Sequence, residues 1–559
     1  MPLPTPGSRA PVTRDHSGSL LTSTRRSPAT KERDTGVRKL NALIRRRVAR
    51  RARAAVVVVG ALTLAACAGV TGERDPGRLQ PDPNATIRWA ISVPPIQMDP
   101  MVAKAELTHI TYDTLIFDGL TTVDSNGRIS PRLAASWTEA PDRLSWTVTL
   151  RTGAVFHDGK PIDARSVAAN LGRALQLRDS TPVLANKLSR WSRAEVVDDR
   201  TVRIVLDTPD AAVPAELASP NLLIGSPAAF GTMGTQPVGS GPYRFVSRTA
   251  DRVTYERFDR YWDPGVAKAA RVEVLAIPDG AARMNALRAG QIDGTLAQVN
   301  LHADIASFRG DPTAQVVEKP TQNVAAMFLN TSRAPLDSVE VRRALNYAVD
   351  RQSLSTSLLG GLCRPTSQPF PDGPGHVADL DNAYTHDPAR ARQLLSVAGR
   401  DGAGIDAIFY QAGLSGALAP ALQAQLAEAG IDLRLTAMNP NDSRPAFRSG
   451  GAPALVEQIL PDADPSLTVQ SFLRLDNPGG PTSEMSALGQ AALDAPIGTA
   501  QQEQALRAFN SYLVANPIGV PICAIPNFFV ASSRITGVAD MPWSTVSGNT
   551  DIRGLGKAS

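Results

Sequence analysis

The sequence predicts an α/β fold on three grounds. Short segments alternate apolar residues with period two, longer segments place them three and four apart, and the two kinds succeed one another along most of the chain. Leu144-Ser145-Trp146-Thr147-Val148-Thr149-Leu150 reads as a strand with one buried face, as do Val202, Ile204 and Leu206. A strand over 272–277 precedes a helix over 281–289 that stops at Gly290. Asp387-Pro388 supplies an N-cap and a proline at the first helical position. Ala391, Leu394, Leu395 and Ala398 follow as one apolar stripe, which Gly399 ends. Leu418, Leu422 and Leu426 mark another helix ending at Gly430, just before a strand carrying Ile431, Leu433 and Leu435. No internal repeat or coiled-coil heptad interrupts this order.

At 559 residues the chain has room for several cores of roughly 150 residues each. Its basic balance is confined to one end. Residues 1–66 carry 14 Lys+Arg against 3 Asp+Glu, so of 58 basic and 53 acidic residues the remainder keeps 44 and 50, a net of −6. A mildly acidic body argues against a phosphate-binding surface, and nucleic acid is excluded as a partner.

Arg45, Arg46, Arg47, Arg50, Arg51 and Arg53 precede the uncharged run Ala54–Ala66, which ends in Leu64-Ala65-Ala66-Cys67. A basic stretch, a short apolar core and small residues before a cut describe a secretory signal. The run has 13 residues, below the ~17–25 that span hydrocarbon. Leu-Ala-Ala-Cys resembles the bacterial lipobox, whose cysteine is acylated and becomes the mature N-terminus. Cys67 is therefore the expected lipidation site, and two acyl chains would hold the protein at the outer face of the cell membrane. A Gly/Pro/Asp/Arg-rich tether follows, over 67–84.

Cys363 and Cys523 remain, and two readings stand: a disulfide in an oxidising compartment, or two separate buried thiols. The six histidines show no i, i+4 pair, and no C-x-x-C, G-x-S-x-G, Walker or G-x-G-x-x-G motif occurs. The expectation is no metal site, no cofactor and no catalytic residue.

Three longer motifs then appear in order. They are Arg151-Thr152-Gly153-Ala154-Val155-Phe156-His157-Asp158-Gly159-Lys160-Pro161; Pro237-Val238-Gly239-Ser240-Gly241-Pro242-Tyr243-Arg244-Phe245 with Asp259-Arg260-Tyr261-Trp262; and Phe328-Leu329-Asn330-Thr331-Ser332 with 341–351, VRRALNYAVDR. With Met98-Asp99-Pro100, Asp387-Pro388 and Pro517 to Pro521, they resemble the peptide/nickel class of extracellular solute-binding proteins of ABC importers, from about residue 85 to 535. Most of these residues read as scaffold. Gly239 and Gly241 fit a turn needing unusual dihedrals, and Asp158-Gly159 fits a hairpin turn in which His157 is either a ligand group or a hydrogen-bonded turn residue. Tyr243, Trp262 and Tyr347 read as core aromatics, and Arg342 and Arg343 as a solvated helix face.

The resemblance implies a two-lobed periplasmic-binding-protein-like fold with an extra domain inserted in the first lobe. Lobe 1 takes 85–122, 236–322 and 519–559, the insert 123–235, and lobe 2 323–518. It implies a monomeric, non-enzymatic, lipid-anchored protein that closes on a small solute, most readily an oligopeptide or peptide-like molecule, and passes it to permease subunits. The same fold serves a chelated metal, a glycoside or a non-transport surface receptor equally well. Carried over by position, the ligand-facing residues are Tyr410, Gln411, Leu414 and Ser415, with Met98 and Met101 from lobe 1 and Gln322 and Asn323 at the hinge. The acidic-Pro pair is Asp464-Pro465. The residue expected to carry the carboxylate that holds a peptide ammonium is Pro461, so Asp462 is the nearest substitute, with an exposed Pro-Asp turn as the other reading of Asp462 and Asp464.

Overall fold

The computed structural model describes residues 79–94, 97–102, 110–123, 128–411, 413–460, 464–542 and 551–559, all within one compact unit, Gly77–Ser559. Cys67 and Asp462 lie outside the described residues.

In chain order the structure opens with strand β1 (Thr86–Ile91) and helix α1 (Ile110–Ile116). Four strands, β2 (Ala134–Glu139), β3 (Ser145–Leu150), β4 (Trp191–Val196) and β5 (Thr201–Leu206), pair antiparallel in the order β2-β3-β5-β4. The face of β3 carrying Trp146, Val148 and Leu150 packs on helix α2 (Ala164–Leu177), as its alternation requires. Asp163 caps α2 by accepting from Ser166 N at 2.8 Å, and the short α3 (Pro182–Lys187) follows.

A seven-stranded sheet combines β1 with β6 (Tyr243–Arg248), β7 (Arg252–Arg257), β8 (Arg271–Ala276), β9 (Gly294–Ala297), β10 (Ala314–Lys319) and a late strand. Helix α4 (Gly280–Arg288) connects β8 to β9. A six-stranded sheet then forms from β11 (Val324–Leu329), β12 (Arg364–Pro365), β13 (Gly404–Tyr410), β14 (Asp432–Met438), β15 (Ala454–Ile459) and β16 (Gly519–Ala524). Its helices include α5 (Val339–Ala348), α6 (Pro388–Val397), α7 (Gly413–Glu428), α8 (Pro465–Arg474), α9 (Ser483–Asp494) and α10 (Ala500–Ala515). Strand β17 (Asn527–Ser532) returns to the first sheet, between β9 and β10.

The chain therefore passes between the large sheets twice, at 320–323 and at 525–526. The second passage corrects the expected boundary at 519: β16 pairs with β11 and β12, so residues 519–524 are a strand of the second sheet. All six residues of β11 are buried, because helices cover both faces of its sheet.

Local signals appear where the chemistry requires them. Asp387 accepts from Arg390 N at 2.8 Å, Pro388 opens α6, and Gly399 has φ 63°. Gly159 has φ 84° in a turn closed by Phe156 N donating to Lys160 O. Gly239 and Gly241, by contrast, are not left-handed. A Cβ at Gly239 would lie 2.0 Å from Ile116 O, and Gly241 N donates to that oxygen at 2.7 Å. Close backbone approach, rather than dihedral freedom, excludes a side chain there. Arg342 and Arg343 are not a solvated face either: they donate to Pro517 O and Ala515 O, tying α5 to the segment before β16.

Tyr243 is fully buried, Trp262 is covered by Arg151 at 3.3 Å from its ring centre, and Tyr347 meets Tyr384 edge to face. Cys363 and Cys523 are bonded, with Cα atoms 5.6 Å apart, joining the approach to β12 to β16. Asp118 is a buried hub: it accepts from Arg132 Nε, Tyr261 OH and Trp262 Nε1, each at 2.9 Å, and pairs with Arg553. These cations and donors hold its carboxyl below the usual range despite burial.

Candidate ligand cleft

Strand direction places the cleft. In the first sheet β1 runs parallel to β8 and β9, so their carboxyl ends emerge along one edge. In the second, β13 runs parallel to β14 and β15. The two edges face each other, which is where open α/β sheets bind ligands. Ala297 and Gln298 leaving β9, Leu414 opening α7, Gln458 near the end of β15, and Ile525 to Asn527 of the second passage line a common pocket. A Cβ on Gly413, whose φ is 63°, would lie 2.6 Å from Gln298 Oε1.

The passages are laced together. Ile525 N donates to Asn323 O at 2.9 Å, Thr321 Oγ1 to Ile525 O at 2.5 Å, and Asn323 N to Thr321 Oγ1 at 3.0 Å. The Asn323 side chain is fully buried, yet neither amide atom has a partner among the described residues; Gln322 Oε1, Gln458 Oε1 and Asn300 Oδ1 also lack one. Buried amides left unpaired are costly, on the order of 1–3 kcal/mol each, and these four lie in the first passage or near the carboxyl ends of β9 and β15.

Of the carried-over residues, Gln322 and Asn323 lie in the first passage, and Leu414 lines the pocket. Tyr410 ends β13 half-buried, with Gln411 exposed beside it. Ser415 serves architecture: its Oγ accepts from Tyr410 N and donates to Val456 O, fixing α7 against the strand ends. Met98 and Met101 are core residues. Met98 packs with Trp89 and Tyr112, Met101 in the core of the four-stranded domain. The loop between them is pulled inward by Asp99, which pairs with Arg173 of α2. Asp464 is neither in an exposed turn nor held ready for an ammonium group. It caps α8, accepting from Ser466 N at 2.9 Å, Ser466 Oγ at 2.5 Å and Gln502 Nε2 at 2.9 Å. Gln298, Asn300 and Gln458 escaped the sequence reading, since single polar residues at strand ends carry no periodic or motif signal.

The four-stranded domain closes the side of the cleft. Arg190 Nη1 lies 3.2 Å from Asp494 Oδ1, Arg143 Nη2 donates to Asp494 O at 2.7 Å, and Gln470 Nε2 donates to Ser189 Oγ at 3.1 Å. Leu467 of α8 packs on Ala212 and Ala215. Within the first lobe, Asp113 is buried with Oδ1 unpartnered among the described residues. Burial, then the charge of Asp99, pushes its carboxyl well above the usual range. His157 is the turn residue: Gly239 N donates to Nδ1, which leaves Nε2 to donate to Gly241 O at 3.0 Å.

Known proteins agree with this geometry. The profile of the bacterial extracellular solute-binding proteins, family 5 Middle, matches residues 128–480. The glutathione-binding protein of Pectobacterium atrosepticum is 31% identical over 355 residues, 61% of this chain and 67% of that protein. Among solved structures, the agropinic acid complex of the binding protein AgaA from A. tumefaciens R10 superposes with TM-score 0.77 at 25% identity, covering 85% of this chain and 99% of the other. The dipeptide-binding protein of Pseudoalteromonas sp. SM9913 with Met-Leu gives 0.76 at 18% identity, covering 85% and 100%, a likeness of fold. These relatives bind solutes and are not enzymes. With two lobes joined by paired passages, an inserted domain, and a profile match across more than half its length, the chain belongs to the family 5 bacterial extracellular solute-binding proteins.

Proposed function

We propose that this protein is anchored through Cys67 at the outer face of the cell membrane. There it captures a peptide or peptide-like solute between its lobes as a monomer and presents it to the permease of an ABC importer. The observation that carries this reading is the set of buried amide atoms without a partner among the described residues, on Gln322 and Asn323 in the first passage, Asn300 just after β9 and Gln458 near the end of β15. Amide donors and acceptors of this kind match the backbone of a peptide, whatever its side chains. Relatives that bind glutathione, and neighbours solved with a dipeptide or an opine acid, favour the same chemistry. We assign the first lobe to 85–122, 236–322 and 525–559, the insert to 123–235, and the second lobe to 323–524. Gln322, Asn323, Tyr410, Gln411 and Leu414 face the solute, and Asp462 is the candidate ammonium partner. Mass spectrometry of ligand released from the purified protein tests the reading directly. A peptide or peptide-like molecule should appear, and adding it back should raise the melting temperature and compact the protein in small-angle scattering. The absence of both a co-purifying solute and any response to glutathione or to a di- to pentapeptide panel would refute it.

A further inference from the structure

Among the described residues four arginines are buried: Arg190, Arg283, Arg351 and Arg553. Arg190 pairs with Asp494, and Arg553 with Asp118 and Asp551. Arg351 has no carboxylate, but every nitrogen is satisfied: Nε by Thr366 O and Pro521 O, Nη1 by Asn346 O and Tyr384 O, and Nη2 by Asn346 Oδ1. Arg283 differs from all three. It is 4% exposed, and only Nη1 is engaged, with Ile277 O at 2.7 Å and Pro278 O at 3.0 Å. Nε is buried without a partner, and no described residue bonds Nη2. The nearest acid in sequence, Asp279, caps α4 by accepting from Ala282 N at 2.7 Å.

The unused Nε–Nη2 edge is the one that receives a carboxylate through two parallel hydrogen bonds. Its position is at the cleft. Ile277 and Pro278 directly follow the carboxyl end of β8, beside the end of β1, where Ile277 N donates to Ile91 O. Burial lowers the guanidinium's affinity for its proton, and Asp279, then Tyr410 at the end of β13, partly offset it. Taking the capture of a peptide-like solute as given, we propose that Arg283 receives a carboxylate of that solute on its Nε–Nη2 edge, so that the cleft selects for an acid. Strand order sets the length of the occupant. In the first sheet β1 separates β8 from β9, so the Ile277 and Pro278 carbonyls that hold Arg283, and Gln298, follow strand ends two spacings apart, about 10 Å. That is the span of roughly three extended residues, at ~3.3–3.6 Å each.

The test compares wild type and Arg283→Gln, as full chains purified in detergent and stripped of ligand, by calorimetry with Ala-Ala-Ala, its C-terminal amide and glutathione. Wild type should bind the tripeptide acid at least tenfold more tightly than the amide. Arg283→Gln should lose at least tenfold for the acid and less than threefold for the amide, with Arg283→Lys between. Without ligand, Arg283→Gln should melt at or above wild type, since an unpaired buried charge has been removed. An acid-to-amide ratio unchanged in Arg283→Gln overturns the proposal, as does a ligand-free melting temperature lowered by more than about 5 °C. If wild type binds none of these peptides, the peptide reading fails. Arg283 is then judged by a panel of non-peptide mono- and dicarboxylic acids, and the absence of any acid held by wild type more tightly than by Arg283→Gln overturns the assignment.

Discussion

His157 offers a stability prediction that tests how the inserted domain is pinned to the first lobe. Its ring bridges Gly239 and Gly241, the two glycines packed on the end of α1, with Phe258 edge-on at 4.9 Å. One nitrogen accepts and the other donates, so the neutral ring satisfies both bonds and a second proton breaks one. Burial is the main cause that lowers its pKa, from 6.5 to about 4. A depressed folded-state value means that the neutral form stabilises the fold. The contribution is complete above pH 6.5 and is lost as pH falls toward 4. From 6.5 unfolded and about 4 folded, the loss between pH 7.5 and pH 5.0 is about 2 kcal/mol. His157→Gln keeps a side-chain donor and removes the titration. It should be less stable at pH 7.5 by about 1 kcal/mol, the value of one imperfect hydrogen bond. Its deficit should then vanish or reverse at pH 5.0. Urea unfolding followed by tryptophan fluorescence, at both pH values, gives the four free energies, and other titrating groups cancel between the two proteins. An equal deficit at both pH values would refute the neutral, doubly bonded ring.

Three further outcomes follow from particular residues. Asp113 has a raised folded-state pKa, so its stabilising neutral form is present at low pH and lost as pH rises; Asp113→Asn should gain about 1–3 kcal/mol over wild type at pH 7.5 and nothing at pH 4, read by thermal melts. The Cys363–Cys523 bridge spans 160 residues, a loop whose closure stabilises by up to about 5 kcal/mol; thiol counting in denaturant should find neither cysteine free, and Cys363→Ala/Cys523→Ala should lower the urea midpoint. Cys67→Ser should abolish labelling by an alkyne fatty acid and release the protein from the membrane fraction, and equal labelling would refute lipidation.

The sequence by itself determined the elements whose signals are local. The alternation at 144–150, the Asp387-Pro388 cap, the Asp158-Gly159 turn and Gly399 each express dihedral preference or periodicity within a few residues, and each is seen in the structure. The ordered motifs determined the family, because they preserve the turns and close approaches that set lobe against lobe. Tertiary structure decided everything that depends on partners distant in sequence. Residues 519–524 read as a strand, but only pairing with β11 assigns that strand to the second sheet. Met98 and Met101 look available until Asp99 is seen drawing their loop onto Arg173. Asp464 is identifiable as an acid before proline, yet its commitment as a helix cap that also receives Gln502 needs a residue 38 positions away. Asn300, Gln458 and Arg283 are single residues on separate elements, and sequence records no period or spacing that joins them. Their significance is burial without a partner. That property belongs to the space around a side chain, and the space exists only after the strands and lobes have come together.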